Sequence, residues 1–203
     1  MTVTFDSFGR IDRHARRAMA PDLALRSLTH QVDQETSFLA FGNGKSYGDS
    51  CHNDAGTLIP MRSHRAMLGF DISSGVLTAE AGATLEEIIA HAAPHGYFLP
   101  VTPGTRFVTL GGAIANDVHG KNHHLRGTFG CHVASFTLLR SDGVTYTCSP
   151  RENRELFEAT IGGMGLTGII LSASIRLMKV GSLDVLEQIT PFGGLDGYFD
   201  LAE

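Results

Sequence analysis

Gly42-Asn43-Gly44-Lys45-Ser46-Tyr47-Gly48-Asp49 and, further along, Pro103-Gly104-Thr105-Arg106-Phe107-Val108-Thr109-Leu110-Gly111-Gly112-Ala113 are the stretches whose reading decides the fold. Glycine lets the backbone turn with positive φ and come close to a ligand without a Cβ in the way. Successive bare N–H groups in such turns form a concave site for anions. A pair of such loops in one chain points to a long ligand with a charged middle, a dinucleotide rather than a lone phosphate. Each loop alone is also explained by a tight turn or by close helix–strand packing.

Between and around the loops, hydrophobic periodicity marks the elements. Residues 36–42 read as a short buried strand entering the first loop, and Leu58–Met61 as a second strand with proline at its end. Leu68–Asp71 and Val76–Glu80 flank Ser73-Ser74-Gly75, a hairpin signal. Thr84-Leu85-Glu86-Glu87 is a capping box. Leu85, Ile88, Ile89, Ala92 and Ala93 then follow helical spacing until Pro94 and Gly96 stop it. Gly111–Asp117 reads as a short helix, Val133–Arg140 and Val144–Cys148 as a hairpin about Ser141-Asp142-Gly143, Pro150–Ile161 as a helix and Leu166–Leu177 as a strand. A further helix is expected to start near Asp196. Helices and strands interleave, yet tight hairpins join adjacent strands, so the expected class is α+β with mixed or antiparallel sheets.

Composition narrows the function. The 203 residues suit one large domain or one and a half. A net charge of −5 opposes a general nucleic-acid binder. The glycines cluster without a repeat, which excludes a collagen or linker reading. Cys51, Cys131 and Cys148 form no CxxC pair, which fits a reducing compartment and a cytoplasmic protein. Met1–Arg17 lacks the apolar core of a signal peptide, and no apolar run approaches the ~20 residues of a membrane helix.

Two familiar phosphate motifs fail on inspection. A Walker A loop ending in Gly44-Lys45-Ser46 needs glycine at position 39, which is Leu39. A dinucleotide fingerprint starting at Gly42 needs a third glycine where Tyr47 stands. What remains is a glycine-dense turn that supplies backbone donors, hydroxyls and one cation, as a pyrophosphate requires. Downstream, Asp117, His119, Lys121, His123 and His124 crowd into one loop. Zinc ligation by the histidines is conceivable by residue type, but the spacing matches no HExxH helix. A polar site beside the ligand loops is the better reading, and no metal is expected. Gly162-Gly163-Met164-Gly165-Leu166-Thr167-Gly168 again implies close backbone approach, either to ligand or to chain.

These segments, in this order, resemble the FAD-binding domain of the vanillyl-alcohol-oxidase-type (PCMH-type) flavoenzymes. The match is carried by Gly44–Asp49, Pro103–Arg106, Thr109–Ala115, Asp117-Val118-His119-Gly120-Lys121-Asn122-His123-His124 and Gly165–Ile170. The resemblance implies two α+β subdomains, meeting between about residues 60 and 105, with FAD held between them over residues 1–180. It implies that Phe41, Gly42, Asn43, Gly44, Lys45, Ser46, Tyr47, Gly48, Asp49 and Ser50 hold the pyrophosphate. Gly104, Thr109, Leu110, Gly111 and Gly112 would meet the diphosphate and ribityl chain. Asn116, Asp117, Val118 and His119 would lie along the flavin, with Ile169 on the adenine side. His119 and Lys121 would face the substrate, as catalytic candidates; the plainer alternative has His119 only packing beside the ring.

The implied chemistry is oxidation of a sugar or polyol hydroxyl to a ketone, with hydride passing to flavin N5; a sugar-lactone or alditol oxidase and an inactive flavin-binding fragment are the alternatives. Covalent relatives carry histidine before the serine of the first loop, where this chain has Lys45, so dissociable FAD is expected. An NAD(P)-dependent reductase is a conceivable partner. Residues 181–203 are expected to begin a substrate domain that, with the last piece of the FAD domain, lies beyond this sequence.

Overall fold

The computed structural model describes residues 4–29 and 37–202. Helix α1 (Pro21–Thr29) opens on a proline, whose missing N–H costs nothing in a first helical turn. Strands β1 (Phe38–Phe41) and β2 (Thr57–Pro60) pair in parallel, Phe38 opposite Thr57, with the first glycine loop as part of their connection. Thr36, expected in β1, lies outside the described residues. The N-terminal segment runs beside β2, where the Leu58 amide donates to Arg17 O and the Met19 amide to Leu58 O. Ala24 of α1, Ile59, Met61 and Ile169 form a small core of their own.

β3 (Met67–Asp71) and β4 (Val76–Glu80) make the expected antiparallel hairpin. Its turn is set by Asp71, whose carboxylate accepts from the Ser73 and Ser74 hydroxyls and amides. Those donors, the Ser74 hydroxyl foremost, hold the Asp71 carboxyl down to about 2. Gly75, at φ +72°, completes the turn. Helix α2 (Leu85–Ala92) starts in a full capping box: the Glu87 amide donates to Thr84 Oγ1 at 3.2 Å and the Thr84 amide to Glu87 Oε2 at 2.8 Å. A 3-10 turn over Ala93–His95 and left-handed Gly96 end it before β5 (Tyr97–Phe98).

After α3 (Leu110–Ala115) and the short α4 (His123–Arg126) come β6 (Val133–Leu139) and β7 (Thr145–Cys148), antiparallel to one another. Helix α5 (Arg154–Thr160), strands β8 (Ile169–Arg176) and β9 (Met178–Lys179), and helix α6 (Leu195–Ala202) follow. The main sheet runs β3-β4-β8-β6-β7 and β5 pairs with β9. Leu77, Ala79, Phe136, Leu138, Ala173 and Ile175 pack its inner face against Leu85 and Ile88 of α2, Ala113 and Ile114 of α3, and Phe157 of α5. The class is therefore α+β with antiparallel strands dominant. No helix among the described residues is long and apolar enough to cross a membrane.

Two elements are shorter than their sequence patterns suggest. The helix expected from Pro150 begins only at Arg154, because Asn153 turns left-handed (φ +48°) and its Nδ2 donates to Thr147 O. The strand expected from Leu166 begins at Ile169, after Gly165 and Gly168 adopt φ of +82° and +149°.

Candidate functional site

Strand β1 delivers the first loop to the edge of a cavity of about 300 Å³, at the small end of the ~300–1,000 Å³ typical of small-molecule sites. Gly42, Asn43, Gly44, Lys45, Ser46, Tyr47 and Ser50 line it. Gly44 (φ +59°) has no room for a side chain, since a Cβ would collide with Asp6 O of the N-terminal segment. The same segment bonds the loop through the Phe8 amide to Ser46 O (3.0 Å) and stacks Phe8 edge-on against Tyr47. Among the described residues, no acceptor pairs with the main-chain amides of Gly44, Lys45, Ser46, Tyr47 and Gly48. Phe41 is buried on Phe5, and Gly48 and Asp49 are exposed beyond the cavity wall.

The second loop closes the opposite wall with Pro103, Gly104, Thr105, Val108 and Thr109, and α3 continues it with Gly111 and Gly112. Asn43 ties the loops together, its Nδ2 donating to Phe107 O at 2.8 Å. The amides at the start of α3 are taken up within the protein. Leu110 N donates to Ala83 O, Gly111 N to Ala81 O, and Gly112 N to Thr109 Oγ1. Those donors are spent on packing α3 against the β4–α2 connection, and Leu110 itself is fully buried. Gly111 meets that packing need directly: a Cβ there would lie 2.9 Å from Ala81 Cβ. Gly104 is the reverse case, with nothing within 4 Å of a built Cβ.

Asn116 and Val118, at the exit of α3, also line the cavity, and Asn116 Nδ2 donates to Gly112 O. Asp117 between them points elsewhere, its Oδ1 accepting from the Gly130 amide at 2.8 Å. His119 and Lys121 are exposed beside this wall. The histidine rings stand edge to face, His119 to His123 at 5.5 Å and His123 to His124 at 6.0 Å, and His123 Nδ1 is engaged with Gly120 O. Among the described residues, the one group of ligand atoms close enough to share an ion is Asp12, His14 and Asp54, on the N-terminal side. Arg16 already bonds both of those carboxylates.

Sequence reasoning missed part of the lining. Phe8 carries no periodic signal, Cys51 is legible only as an unpaired cysteine, and Met61 only as the end of a strand. Cys51 sits buried at the wall, and burial pushes its thiol upward. The 162–168 glycine stretch does both things its composition left open. Gly165 and Gly168 line the cavity, while a Cβ on Gly168 would also crowd Leu139 O at 2.6 Å. On β8, Ile170 lines the cavity and Ile169 packs in the small core with Ala24 and Ile59.

A glycine-walled cavity, bounded by a loop of unpaired amides with one lysine, between a parallel strand pair and an antiparallel sheet, defines a nucleotide-binding α+β domain. The sequence profile described as FAD binding domain matches residues 26–149, and the chain belongs to that family. It has the PCMH-type arrangement that its segments resemble.

Among characterised proteins the chain is similar to decaprenylphosphoryl-beta-D-ribose oxidase of Mycolicibacterium smegmatis, 42% identical over 178 residues, which is 87% of this chain and 39% of that protein. It is also similar to L-gulonolactone oxidase of Mus musculus, 30% identical over 137 residues (66% of this chain, 30% of that protein). Delta(24)-sterol reductase of Homo sapiens matches at 29% over 112 residues (55% and 22%). The chain thus spans about two fifths or less of the length of these relatives. FAD-dependent oxidoreductases are the class to which the chain is related.

Proposed function

We propose that this chain holds FAD non-covalently and serves the oxidation of a sugar or polyol hydroxyl to a ketone. The observation that carries the reading is the run of main-chain amides from Gly44 to Tyr47 at the cavity wall, Lys45 among them, which have no acceptor among the described residues. Unpaired donors at such a wall fit a doubly negative pyrophosphate. Gly42–Ser46 grip that bridge, with Phe41 beneath and Tyr47–Ser50 flanking it. Gly104, Gly111 and Gly112 allow close approach along the diphosphate and ribityl chain through absent side chains rather than donated hydrogen bonds, with Thr109 in the same wall and Leu110 buried behind it. Asn116 and Val118 border the flavin with His119 beside them, and on β8 Ile170 rather than Ile169 is the side chain that faces the cofactor.

When bound, FAD supplies the hydride acceptor. The chain's own groups bind and manage protons. His119 is exposed beside Val118, and an imidazole nitrogen is a common proton acceptor in catalysis. It takes the proton of the substrate hydroxyl, and Lys121 holds an anionic group of the substrate. Lys45 stands where covalent relatives carry histidine, which supports a dissociable cofactor. The sugar specificity is supported by the likeness to decaprenylphosphoryl-beta-D-ribose oxidase. A cytoplasmic setting agrees with three free cysteines, and an NAD(P)-dependent reductase is the proposed partner for returning the ketone to an alcohol.

The test is anaerobic mixing of the FAD-loaded protein with a panel of aldose derivatives, polyols and sugar lactones. Loss of the visible flavin band with a sugar or polyol, and its slowing in His119→Gln, is the expected result. A band unchanged by the whole panel contradicts the proposed chemistry, and bleaching by lactones alone moves the substrate class.

A further inference from the structure

We propose that Asp117 is a positioning residue: its carboxylate clamps the exit of α3 to the segment Phe129–His132 and thereby sets the wall formed by Asn116 and Val118. The inference rests on the reading of that cavity as a flavin site.

Helix α3 ends in two paired bonds. Asp117 N donates to Ile114 O at 3.0 Å and Val118 N to Ala113 O at 3.1 Å, with Asp117 at φ +40°. This is the double-bonded helix exit in which glycine ordinarily takes the left-handed position. A Cβ makes that conformation costly, and aspartate is only among the milder exceptions. Backbone geometry alone therefore favours glycine here, and the aspartate side chain must contribute something that glycine lacks.

Its contact supplies that contribution. Oδ1 accepts from the Gly130 amide at 2.8 Å, an ionic acceptor for a main-chain donor. Gly130 is fitted to it: a Cβ there would lie 2.5 Å from Ile161 Cγ2 and 2.8 Å from Asp117 Oδ1. Phe129 N donates to Val118 O at 2.8 Å, a second rung between the same segments. From the other side, Gly162 N bonds Ile114 O and Met164 N bonds Ala115 O. Three stretches of chain meet at this corner, and Asn116, Val118 and Met164 all line the cavity. The carboxylate is the side-chain link that holds the corner closed, while residues on either side of it face the cavity.

Two variants separate the clamp from the turn. Asp117→Gly keeps the left-handed turn, relieves its strain and deletes the carboxylate. Asp117→Asn keeps both the turn and an acceptor. The readouts are the FAD dissociation constant, by fluorescence titration, and hydrogen exchange at the Gly130 amide. Loss of a charge-assisted bond predicts roughly tenfold weaker FAD binding and roughly tenfold faster Gly130 exchange in Asp117→Gly. Asp117→Asn is expected to stay within about threefold of the parent in both. A residue needed only for its turn gives the opposite order, with glycine equal to or better than the parent, and that result overturns the proposal. If the parent itself binds no FAD, the flavin reading fails, and exchange decides the clamp: acceleration in Asp117→Gly upholds it and unchanged exchange overturns it.

Discussion

Gly42 and Thr109 meet across the mouth of the cavity so closely that a Cβ on Gly42 would lie 2.5 Å from Thr109 Oγ1. That oxygen is already committed, since it caps α3 by accepting from the Gly112 amide at 3.2 Å. The end of β1 and the start of α3 are therefore fitted to each other, and the cavity takes its shape from that fit.

Gly42→Ala must push Thr109 off its cap. The expected cost is on the order of 1 kcal/mol from the cap alone, with overpacking added. At roughly 2–4 °C per kcal/mol for a chain of this size, a fall of several degrees in Tm is expected. Thr109→Ala removes the obstructing oxygen and the cap together. The double variant should then be clearly more stable than the sum of the two single losses, as read in a double-mutant cycle of thermal unfolding. Strict additivity would show that the two sites do not touch in solution.

Gly104 makes the opposite prediction from the same loop. Its built Cβ meets nothing, so Gly104→Ala should leave Tm within about 2 °C of the parent, surface changes of this kind staying within ±0.5 kcal/mol. If Gly104 is bare so that a cofactor can approach, FAD affinity should nevertheless fall several-fold in a fluorescence titration. Unchanged affinity would remove Gly104 from the cofactor wall.

Glu87 gives a pH test of the fold. Its carboxyl is held down to about 2, first by the Arg62 guanidinium, and then by the Thr84 amide and hydroxyl. Arg62 grips it through two nitrogens, each at 3.0 Å, and also donates to Gly82 O. A carboxyl depressed on folding stabilises the native state above its unfolded value of 4.5 and loses that contribution as pH falls from there toward about 2. Glu87→Gln should lower Tm by a few degrees at pH 7, with the difference from the parent shrinking as pH falls through that window. A constant difference down to pH 2 would contradict the ion pair.

Local structure is legible in the sequence where one short segment contains both halves of an interaction. Thr84 with Glu87, and Asp71 with Ser73 and Ser74, are such cases. The sheet order was out of reach, because β4 pairs with β8 through Leu77 opposite Ile175, and nothing local links those residues. The candidate loops were legible from their glycines, but the purpose of each glycine was not. Gly111 serves helix packing on Ala81 and Gly104 faces open space, a difference set by the tertiary fold. The N-terminal segment was silent for a related reason: Phe8 reaches Tyr47 and Arg16 reaches Asp54 across a fold that no periodicity announces.

The most direct measurement is the visible spectrum of the purified protein titrated with FAD, followed by acid precipitation. The expected result is a flavin spectrum perturbed on binding, weakened in Lys45→Met, with all the yellow colour released to the supernatant by acid. Failure to perturb FAD at any concentration, or colour retained in the pellet, would contradict it.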